Sequence, residues 1–188
     1  HTSRRDAFRP INASPVAIVD YEKQSVKKIK KELVPEGDFA LKLFNPKLKI
    51  GLFKFHTNTY VEELTPYEKF DALLLEVFAL GQAQILKQDE YMGENLKINA
   101  LIKKLASKIP VAVASQCLYG RIDMNVYSEG RTLQSLGVIG NYTNMTPETA
   151  FIKLAWLMSN HKKHVKELYS KNLRGELSNR TEQNTFLR

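Results

Sequence analysis

The side chains that could do chemistry in this sequence are few and scattered. The single cysteine is Cys117, and the histidines are His1, His56, His161 and His164. His161 and His164 can share one face of a helix, but no third ligand follows at the spacing of a metal site. The pair therefore favours a basic surface over metal binding. Because Cys117 has no histidine nearby in the sequence, we expect it to be a small buried residue and not a nucleophile.

Three glutamines, Gln82, Gln84 and Gln116, follow candidate buried strands. In open parallel sheets, ligands bind at the carboxyl ends of the strands, so the site is expected in segments 79–84 and 116–121. A glutamine amide can hydrogen-bond to an amide or carboxylate of a ligand, although most loop glutamines are simply solvated. The sequence has no G-x-G-x-x-G, P-loop or G-x-S-x-G motif. The residues alone give no complete catalytic constellation.

Strands and helices alternate along the chain, and these elements must position the two segments. Apolar runs predict strands over residues 16–21, 39–44, 49–56, 72–78 and 111–115. Helical spacing predicts helices over residues 95–107, 124–136, 147–159 and 164–172. The third helix has the clearest start, with Thr146 as N-cap, Pro147 at the first helical position and Glu148 in the first turn.

This alternation predicts a three-layer α/β fold, in which a parallel sheet is flanked by helices. The length of 188 residues suits one domain over 16–175, preceded by an interdomain linker at 1–15 and followed by a polar tail at 176–188. No apolar run is long enough to span a bilayer, so we expect no membrane contact. One cysteine excludes a disulfide framework and is consistent with a reducing compartment. We therefore expect a cytoplasmic location.

The net charge of +8 is concentrated in a few segments. Basic clusters lie at Arg4, Arg5 and Arg9, within 27–31, and within 161–166. No cluster has aromatic residues at the intervals typical of a groove for single-stranded nucleic acid. Solvated faces of a basic protein explain the clusters, and so does a position beside tRNA or an acidic partner. Charge alone leaves both interpretations open.

The segment from 115 to 160 is recognisable as a whole. It reads SQCLYGRIDMNVYSEGRTLQSLGVIGNYTNMTPETAFIKLAWLMSN, and NLRGEL follows at 172–177. The order and spacing of these pieces resemble the C-terminal domain of the type I L-asparaginase family, which implies a flavodoxin-like fold. The first residues, HTSRRDAFRPIN, resemble the corresponding segment of the D subunit of the archaeal-type glutamyl-tRNA(Gln) amidotransferases.

The resemblance implies a glutaminase subunit that releases ammonia from glutamine. A tRNA-binding kinase/transamidase partner subunit would use this ammonia, with ATP and Mg, to convert Glu-tRNA(Gln) into Gln-tRNA(Gln). This domain would itself bind no cofactor or metal and would reach tRNA only indirectly. One alternative is the same domain of a type I L-asparaginase, which hydrolyses L-asparagine to aspartate and ammonia. Another is a non-catalytic binding or assembly module on the same fold.

The resemblance also places the catalytic residues outside this sequence. The family carries its nucleophilic threonines in T-G-G-T-I and H-G-T-D-T type motifs of an N-terminal domain, and neither motif occurs here. The chain also begins at His1 without a methionine, inside the stretch that matches the family's linker. We therefore expect the N-terminal domain to be missing, no catalytic residue in this chain, and no activity from the chain alone.

In the family, active sites lie at a homodimer interface, where a loop of this domain reaches the neighbour's substrate pocket. That loop matches 79–84 and includes Gly81, Gln82 and Gln84 as candidate site residues. The chain departs from the family in having Ala79 for a glycine and Gln82 for an asparagine or histidine.

Two further positions match the family outside this loop. Cys117 matches a position that lines an allosteric amino-acid site in some members; the structural alternative is that it simply packs behind the loop. Asn144 replaces a common aspartate.

Overall fold

The computed structural model describes residues 8–30 and 40–181. Arg4, Arg5, Lys31 and residues 182–188 of the expected tail lie outside these ranges. The described strands are β1 Ala17–Asp20, β2 Ser25–Lys28, β3 Ile50–Lys54, β4 Ala72–Val77 and β5 Val111–Ser115. The helices are α1 Val61–Leu64, α2 Gly93–Lys108, α3 Ser128–Ser135, α4 Pro147–Asn160 and α5 Val165–Leu168. Two 3₁₀ turns, Thr65–Lys69 and Lys162–His164, follow α1 and precede α5.

The central sheet is parallel, with the strand order β3-β4-β5. A further parallel bridge between Ala112 and Ile139 extends it beyond β5. Nearly every residue of β4 and all of β5 are buried, because these central strands are covered on both faces. The continuous apolar runs of the sequence predict this burial correctly.

Helices cover both faces of the sheet. On one face, Ile98 and Ile102 of α2 pack in a core with Leu73 of β4. On the other face, Leu154 of α4 packs in a second core with Leu74 of β4. The side chains of adjacent strand residues point to opposite faces, so one strand supplies both cores. The expected three-layer α/β fold is confirmed.

The starts of two helices show how capping decides their bounds. Thr146 caps α4 by accepting a hydrogen bond from the Thr149 N–H, and Pro147 occupies the first helical position, as predicted. Helix α3 begins at Ser128 and not at 124, because the Met124 N–H donates to Asn141 Oδ1 (2.8 Å) instead of entering a helix. The last predicted helix, 164–172, is shortened to the single turn of α5.

Two predicted strands differ from expectation. The strand at 16–21 does form, but as β1 of an antiparallel hairpin with β2 outside the central sheet. The strand predicted over 39–44 is wrong, since residues 40–44 form none. There the chain bonds to the end of α4, where Asn160 Nδ2 donates to the Leu43 carbonyl (3.2 Å). Alternating apolar residues make a strand only where a partner strand is available.

The packed region extends beyond both predicted domain boundaries. Asn12, within the segment assigned to the linker, is only 7% exposed. Glu176 and Leu177, assigned to the polar tail, are also packed: Glu176 forms an ion pair with the buried Lys153, and Leu177 is buried. In the ranges 8–30 and 40–181, no helix has the length and apolar character needed to cross a membrane.

Candidate functional site

The carboxyl ends of the three parallel strands are held together by Gln116. Its Nε2 donates to the carbonyl of Phe55, just past β3 (2.7 Å), and to that of Glu76 on β4 (3.1 Å). The Gln116 N–H donates to the Val77 carbonyl (2.9 Å). The amide donors are therefore committed to the backbone, and Gln116 aligns the strand ends instead of offering its amide to a ligand.

Replacing Gln116 with methionine tests this bridging role. Methionine has a similar shape but no donor, so both carbonyls lose a hydrogen bond at a half-buried position. We expect a loss of about 2 kcal/mol in the free energy of unfolding. Thermal unfolding should show a midpoint lowered by roughly 4–8 °C. The matched variant Gln88→Met alters an exposed glutamine and should change stability by less than about 0.5 kcal/mol; equal effects would contradict the bridging role.

The loop after β4 forms a tight turn at the same edge of the sheet. Phe78 and Gln82 exchange backbone hydrogen bonds across it (2.9 and 3.0 Å). Ala79 has a φ of 33° and Gly81 a φ of 113°. Both values lie in the left-handed region that favours glycine, so the alanine at position 79 occupies a conformation that costs free energy. Ser115 Oγ donates to the Ala79 carbonyl (2.6 Å) and ties the loop to β5.

The two loop glutamines are oriented by the backbone. Gln82 Oε1 accepts a hydrogen bond from the Leu80 N–H (3.0 Å), and within 8–30 and 40–181 its Nε2 has no acceptor. Gln84 Nε2 donates to the Thr57 carbonyl (2.8 Å), which links the loop to the end of β3. Gln82 therefore presents a donor outward, whereas the donor of Gln84 is used inside the fold.

An open cleft of about 480 Å³ lies beside these glutamines. Besides Gln82 and Gln84, residues lining it include Asn58, Tyr60, Tyr91, Glu94 and Glu129. A hydrogen bond from the Val61 N–H and another from Lys97 hold the pKa of the Glu94 carboxyl below its usual value. The cleft thus combines the Gln82 donor with an ionised carboxylate at neutral pH, and no lysine or arginine of the described residues lines it.

Cys117 is exposed, so its predicted burial is wrong. Its N–H donates to Ser115 Oγ (3.0 Å), and this bond turns the chain outward at the end of β5. Both of its neighbours, Gln116 and Leu118, line a second cleft of about 720 Å³ between β3 and the start of α4. Residues adjacent to Cys117 therefore line a different cleft from the one that contains Gln82.

A polar network that sequence reasoning missed fixes the loop after β5. Asn12 Nδ2 donates to the carbonyls of Leu118 (3.0 Å) and Asn144 (2.8 Å), and Asn12 Oδ1 accepts from the Gly120 N–H (2.9 Å). Asn144 Nδ2 in turn donates to Ser178 Oγ (2.6 Å). Asn144, which departs from the family aspartate, thus serves packing between loops. An asparagine 106 residues before Leu118 carries no local signal of such contacts.

No group of three histidine, cysteine, aspartate or glutamate side chains forms a metal site in the described part of the chain. His56, one of the four histidines, instead pairs with Glu63 (Nε2 to Oε2, 2.9 Å) beside α1. His161 and His164 lie beyond the far end of α4, where His164 faces Glu167 (3.5 Å). The structure does not bring His56 together with His161 and His164.

Comparison with known proteins gives one family and two groups of relatives. Residues 50–168 match the glutaminase/asparaginase C-terminal domain. The glutamyl-tRNA(Gln) amidotransferase D subunit of Methanosphaera stadtmanae is 32% identical over 194 residues, which cover all of this chain and 42% of that protein. The protein of the same name from Methanobrevibacter smithii is 35% identical over 199 residues, covering all of this chain and 41% of that protein. The chain thus spans less than half the length of these curated relatives.

Solved structures give a similar result. L-asparaginase I from Vibrio cholerae superposes with a TM-score of 0.72 at 26% identity, over 89% of this chain and 48% of that one. The thermostable L-asparaginase from Thermococcus kodakarensis also has a TM-score of 0.72, over 90% of this chain and 49% of that one. Because the Thermococcus kodakarensis enzyme is only 24% identical to this chain, its superposition shows a shared fold and nothing more.

Proposed function

The chain belongs to the glutaminase/asparaginase C-terminal domain family, and we propose that it is the C-terminal domain of the D subunit of a glutamyl-tRNA(Gln) amidotransferase. The observation that carries this proposal is the extent of the match. Relatives of that name align with the whole chain, including the segment before residue 50 where the family match begins. The whole protein would release ammonia from glutamine.

In this proposal the chain supports chemistry that an N-terminal domain performs. A threonine nucleophile needs a general base and an oxyanion site around it, and the sequence lacks the motifs that supply them. The loop at 79–84 would complete the active site of a neighbouring subunit in a homodimer, with Gly81 shaping the turn and Gln82 donating to the substrate. Exposed Cys117, whose neighbours Gln116 and Leu118 line the second cleft, is the candidate position for a regulatory ligand.

The exposed hairpin of β1 and β2 offers a surface for contact with the N-terminal domain or with a second copy of the chain. Ile18, Val19 and Val26 of β1 and β2 are at least half exposed. An isolated two-stranded hairpin is marginally stable in water, so contact with the N-terminal domain or a second copy would stabilise it.

The other proposed partner is a tRNA-binding kinase/transamidase subunit in the cytoplasm. It would use the released ammonia, together with ATP and Mg, to convert Glu-tRNA(Gln) into Gln-tRNA(Gln). The C-terminal domain would contribute no ligand to either cofactor.

The proposal is tested by comparing this chain with the longer protein that contains it. We expect no ammonia release from glutamine or asparagine by the 188-residue chain, because its sequence lacks the nucleophile motifs. The longer protein should hydrolyse glutamine, and adding the partner subunit with Glu-tRNA(Gln) should stimulate it. Robust turnover by the isolated chain would refute the placement of the chemistry in another domain.

A second candidate is the same domain of an L-asparaginase. It is favoured by the superposition on L-asparaginase I from Vibrio cholerae. A longer protein that prefers asparagine over glutamine, and that needs no tRNA-binding partner, would establish this candidate in place of the first.

Changing Gln82 to glutamate tests its proposed contact with substrate. Glutamate keeps an oxygen to accept from the Leu80 N–H but loses the outward donor. A hydrogen bond to a charged substrate group contributes about 1.5–3 kcal/mol. In the longer protein we therefore expect KM for glutamine to rise roughly 10- to 100-fold, with an unchanged thermal midpoint.

The control for this variant is Gln88→Glu, which puts the same charge at the exposed rim of the same cleft. A much smaller rise in KM is expected there, because Gln88 lies outside the loop. Similar rises in both variants would mean that added charge, and not the lost donor, causes the effect. No rise in Gln82→Glu would exclude the substrate contact.

A further inference from the structure

Basic side chains from two distant segments meet at the C-terminal end of α4. Lys42 and Lys47 come from the segment before β3, and the remaining members follow α4. We call this set the basic surface; its members are Lys42, Lys47, His161, Lys162, Lys163 and Lys166. All five lysines are exposed. The sequence shows only the cluster at 161–166, because Lys42 is 119 residues away from His161.

Backbone contacts fix the earlier segment against the helix. The Asn45 N–H donates to Ser159 Oγ (3.0 Å), and Asn160 Nδ2 donates to the Leu43 carbonyl (3.2 Å). These two bonds hold residues 43–45 along the last turn of α4. Lys42 directly precedes this stretch, and the Lys47 N–H donates to Asn45 Oδ1 (3.0 Å), so the backbone of both lysines stays close to the helix end.

Lys42 is also held by side-chain contacts. Its Nζ lies 3.5 Å from His161 Nε2 and 5.9 Å from the centre of the Trp156 ring. The Trp156 and His161 rings are 5.1 Å apart. A cation over an aromatic ring is stabilised by the ring quadrupole. These contacts hold Lys42 beside His161, the residue that directly precedes Lys162 and Lys163.

The positive charge of this surface is not neutralised within the described parts of the chain. Lys162, Lys163 and Lys166 have no carboxylate within 4 Å there. The neighbouring acid, Glu167, already pairs with Lys171 and His164. Other lysines do have partners; Lys104, for example, lies 2.6 Å from Glu68. The lysines of the basic surface thus lie close together without a carboxylate counterion among the described residues.

The end of a helix attracts cations, but this effect is too small to explain the surface. The partial negative charge at a helix C-terminus acts within the last turn and favours one or two cations there. It does not account for Lys42 and Lys47, which come from another segment, or for Lys166, which lies beyond the helix. An external polyanion explains all five lysines together.

We propose that the basic surface binds the phosphate backbone of tRNA. Lysines supply point charges for successive phosphates, and Phe44, which is 47% exposed between Lys42 and Lys47, offers a ring on which a base can stack. The choice of tRNA over other polyanions rests on the proposed function, in which Glu-tRNA(Gln) is the substrate of the complex. The family resemblance implies only indirect contact with tRNA, whereas the fold brings Phe44 and Lys42 to the lysines that follow α4.

The test measures binding of a fluorescently labelled tRNA transcript to the 188-residue chain by anisotropy over a series of KCl concentrations. The variant K162A/K163A/K166A should bind at least roughly tenfold more weakly at low salt. The slope of log K against log salt should become shallower by about 2–3, because each neutralised phosphate contributes about 0.7–0.9 to it. Circular dichroism checks that the variant remains folded, and charge neutralisation at exposed positions gives no reason for unfolding.

The matched control is K87A/K103A/K108A, which removes the same charge from exposed lysines on or before α2. Since α2 covers the other face of the sheet, its lysines lie away from the proposed phosphates, and the affinity should change less than about twofold. Equally weakened binding in both variants would show that net charge alone is responsible and would overturn the proposal. Absence of tRNA binding by the unmodified chain would overturn it as well.

A third arm uses labelled poly-glutamate at the same salt concentrations. If poly-glutamate binds as tightly as tRNA and depends on the same lysines, the surface serves an acidic protein and the proposal fails. Failure of this tRNA-binding proposal can be distinguished from failure of the proposed function, because the two are measured by different assays. Ammonia release by the longer protein reports on the glutaminase, whereas anisotropy reports on the basic surface alone.

Discussion

Replacing Glu176 with glutamine is expected to lower the free energy of unfolding by about 3 kcal/mol. Lys153 Nζ lies 2.6 Å from Glu176 Oε1, and the two side chains are only 5% and 15% exposed. Lys153 also donates to the Lys171 carbonyl. Removing the carboxylate leaves a buried ammonium without a counterion, which is far more costly than losing an exposed pair. Thermal unfolding should show a midpoint lowered by roughly 6–12 °C.

The same ion pair gives a defined pH dependence. Burial opposes ionisation of Glu176, but hydrogen bonds from Lys153 and from the Arg174 and Leu173 N–H groups outweigh it and hold the pKa of this carboxyl below its usual value. A carboxyl whose pKa is depressed in the folded state stabilises the fold above its unfolded pKa of about 4.3. This stabilisation is lost as the pH falls through the folded pKa. We expect the stability advantage of the unmodified chain over Glu176→Gln to shrink below about pH 4.3.

Two comparisons isolate the effect of burial. Glu167→Gln breaks an exposed pair with Lys171 in the same region and should destabilise the fold far less than Glu176→Gln, because solvent screens the exposed charges. Adding Lys153→Met to Glu176→Gln removes the unpaired charge and should recover part of the loss. The Lys153–Glu176 pair joins α4 to the segment that begins at Glu176. Equal losses of free energy of unfolding in Glu167→Gln and Glu176→Gln would show that burial gives this pair no special role.

Replacing Gly140 with alanine is expected to lower the free energy of unfolding by about 4 kcal/mol. Gly140 has a φ of 119°, and an added Cβ would lie 2.9 Å from the Val113 carbonyl oxygen of β5. A non-glycine residue in such a conformation costs about 1–3 kcal/mol. Forcing an atom against the strand adds about 1–3 kcal/mol. Chemical denaturation should show the loss as a lower midpoint at constant slope.

Two other glycines separate backbone strain from steric contact. Gly120 has a φ of 107°, but no atom lies within 4 Å of an added Cβ, so Gly120→Ala should show the backbone strain alone. Gly93, the first residue of α2, has open space and no unusual φ. There, alanine should leave stability unchanged or raise it by up to about 1 kcal/mol. An equal loss at Gly140 and Gly120 would show that the approach to Val113 adds nothing.

Much of the fold is predictable because the signals are local. The apolar runs that become β4 and β5 are buried on both faces, and a run of this kind favours a central strand. The start of α4 follows from Thr146 and Pro147, whose effects on the backbone need no distant partner. The three-layer order then follows from the alternation of strands and helices.

Predictions failed where the outcome depended on tertiary contacts. Residues 40–44 alternate like a strand, but the end of α4 binds their backbone. Cys117 follows a buried strand, but Ser115 Oγ, which is itself tied to the loop after β4, turns it outward. In both places hydrogen bonds that join separate parts of the chain override the local pattern.

The candidate site shows the same division. The sequence by itself determined the fold class, the positions of the loops at the strand ends and the resemblance to the asparaginase-type domain, since each depends on residue types and spacing along the chain. Tertiary structure alone decided that Gln116 joins strand ends while Gln82 presents its donor outward. It also decided that Lys42 meets His161, which begins the basic segment after α4. The physical reason is that hydrogen bonding and charge density depend on distances in space, and residues far apart in sequence set those distances only when the chain is folded.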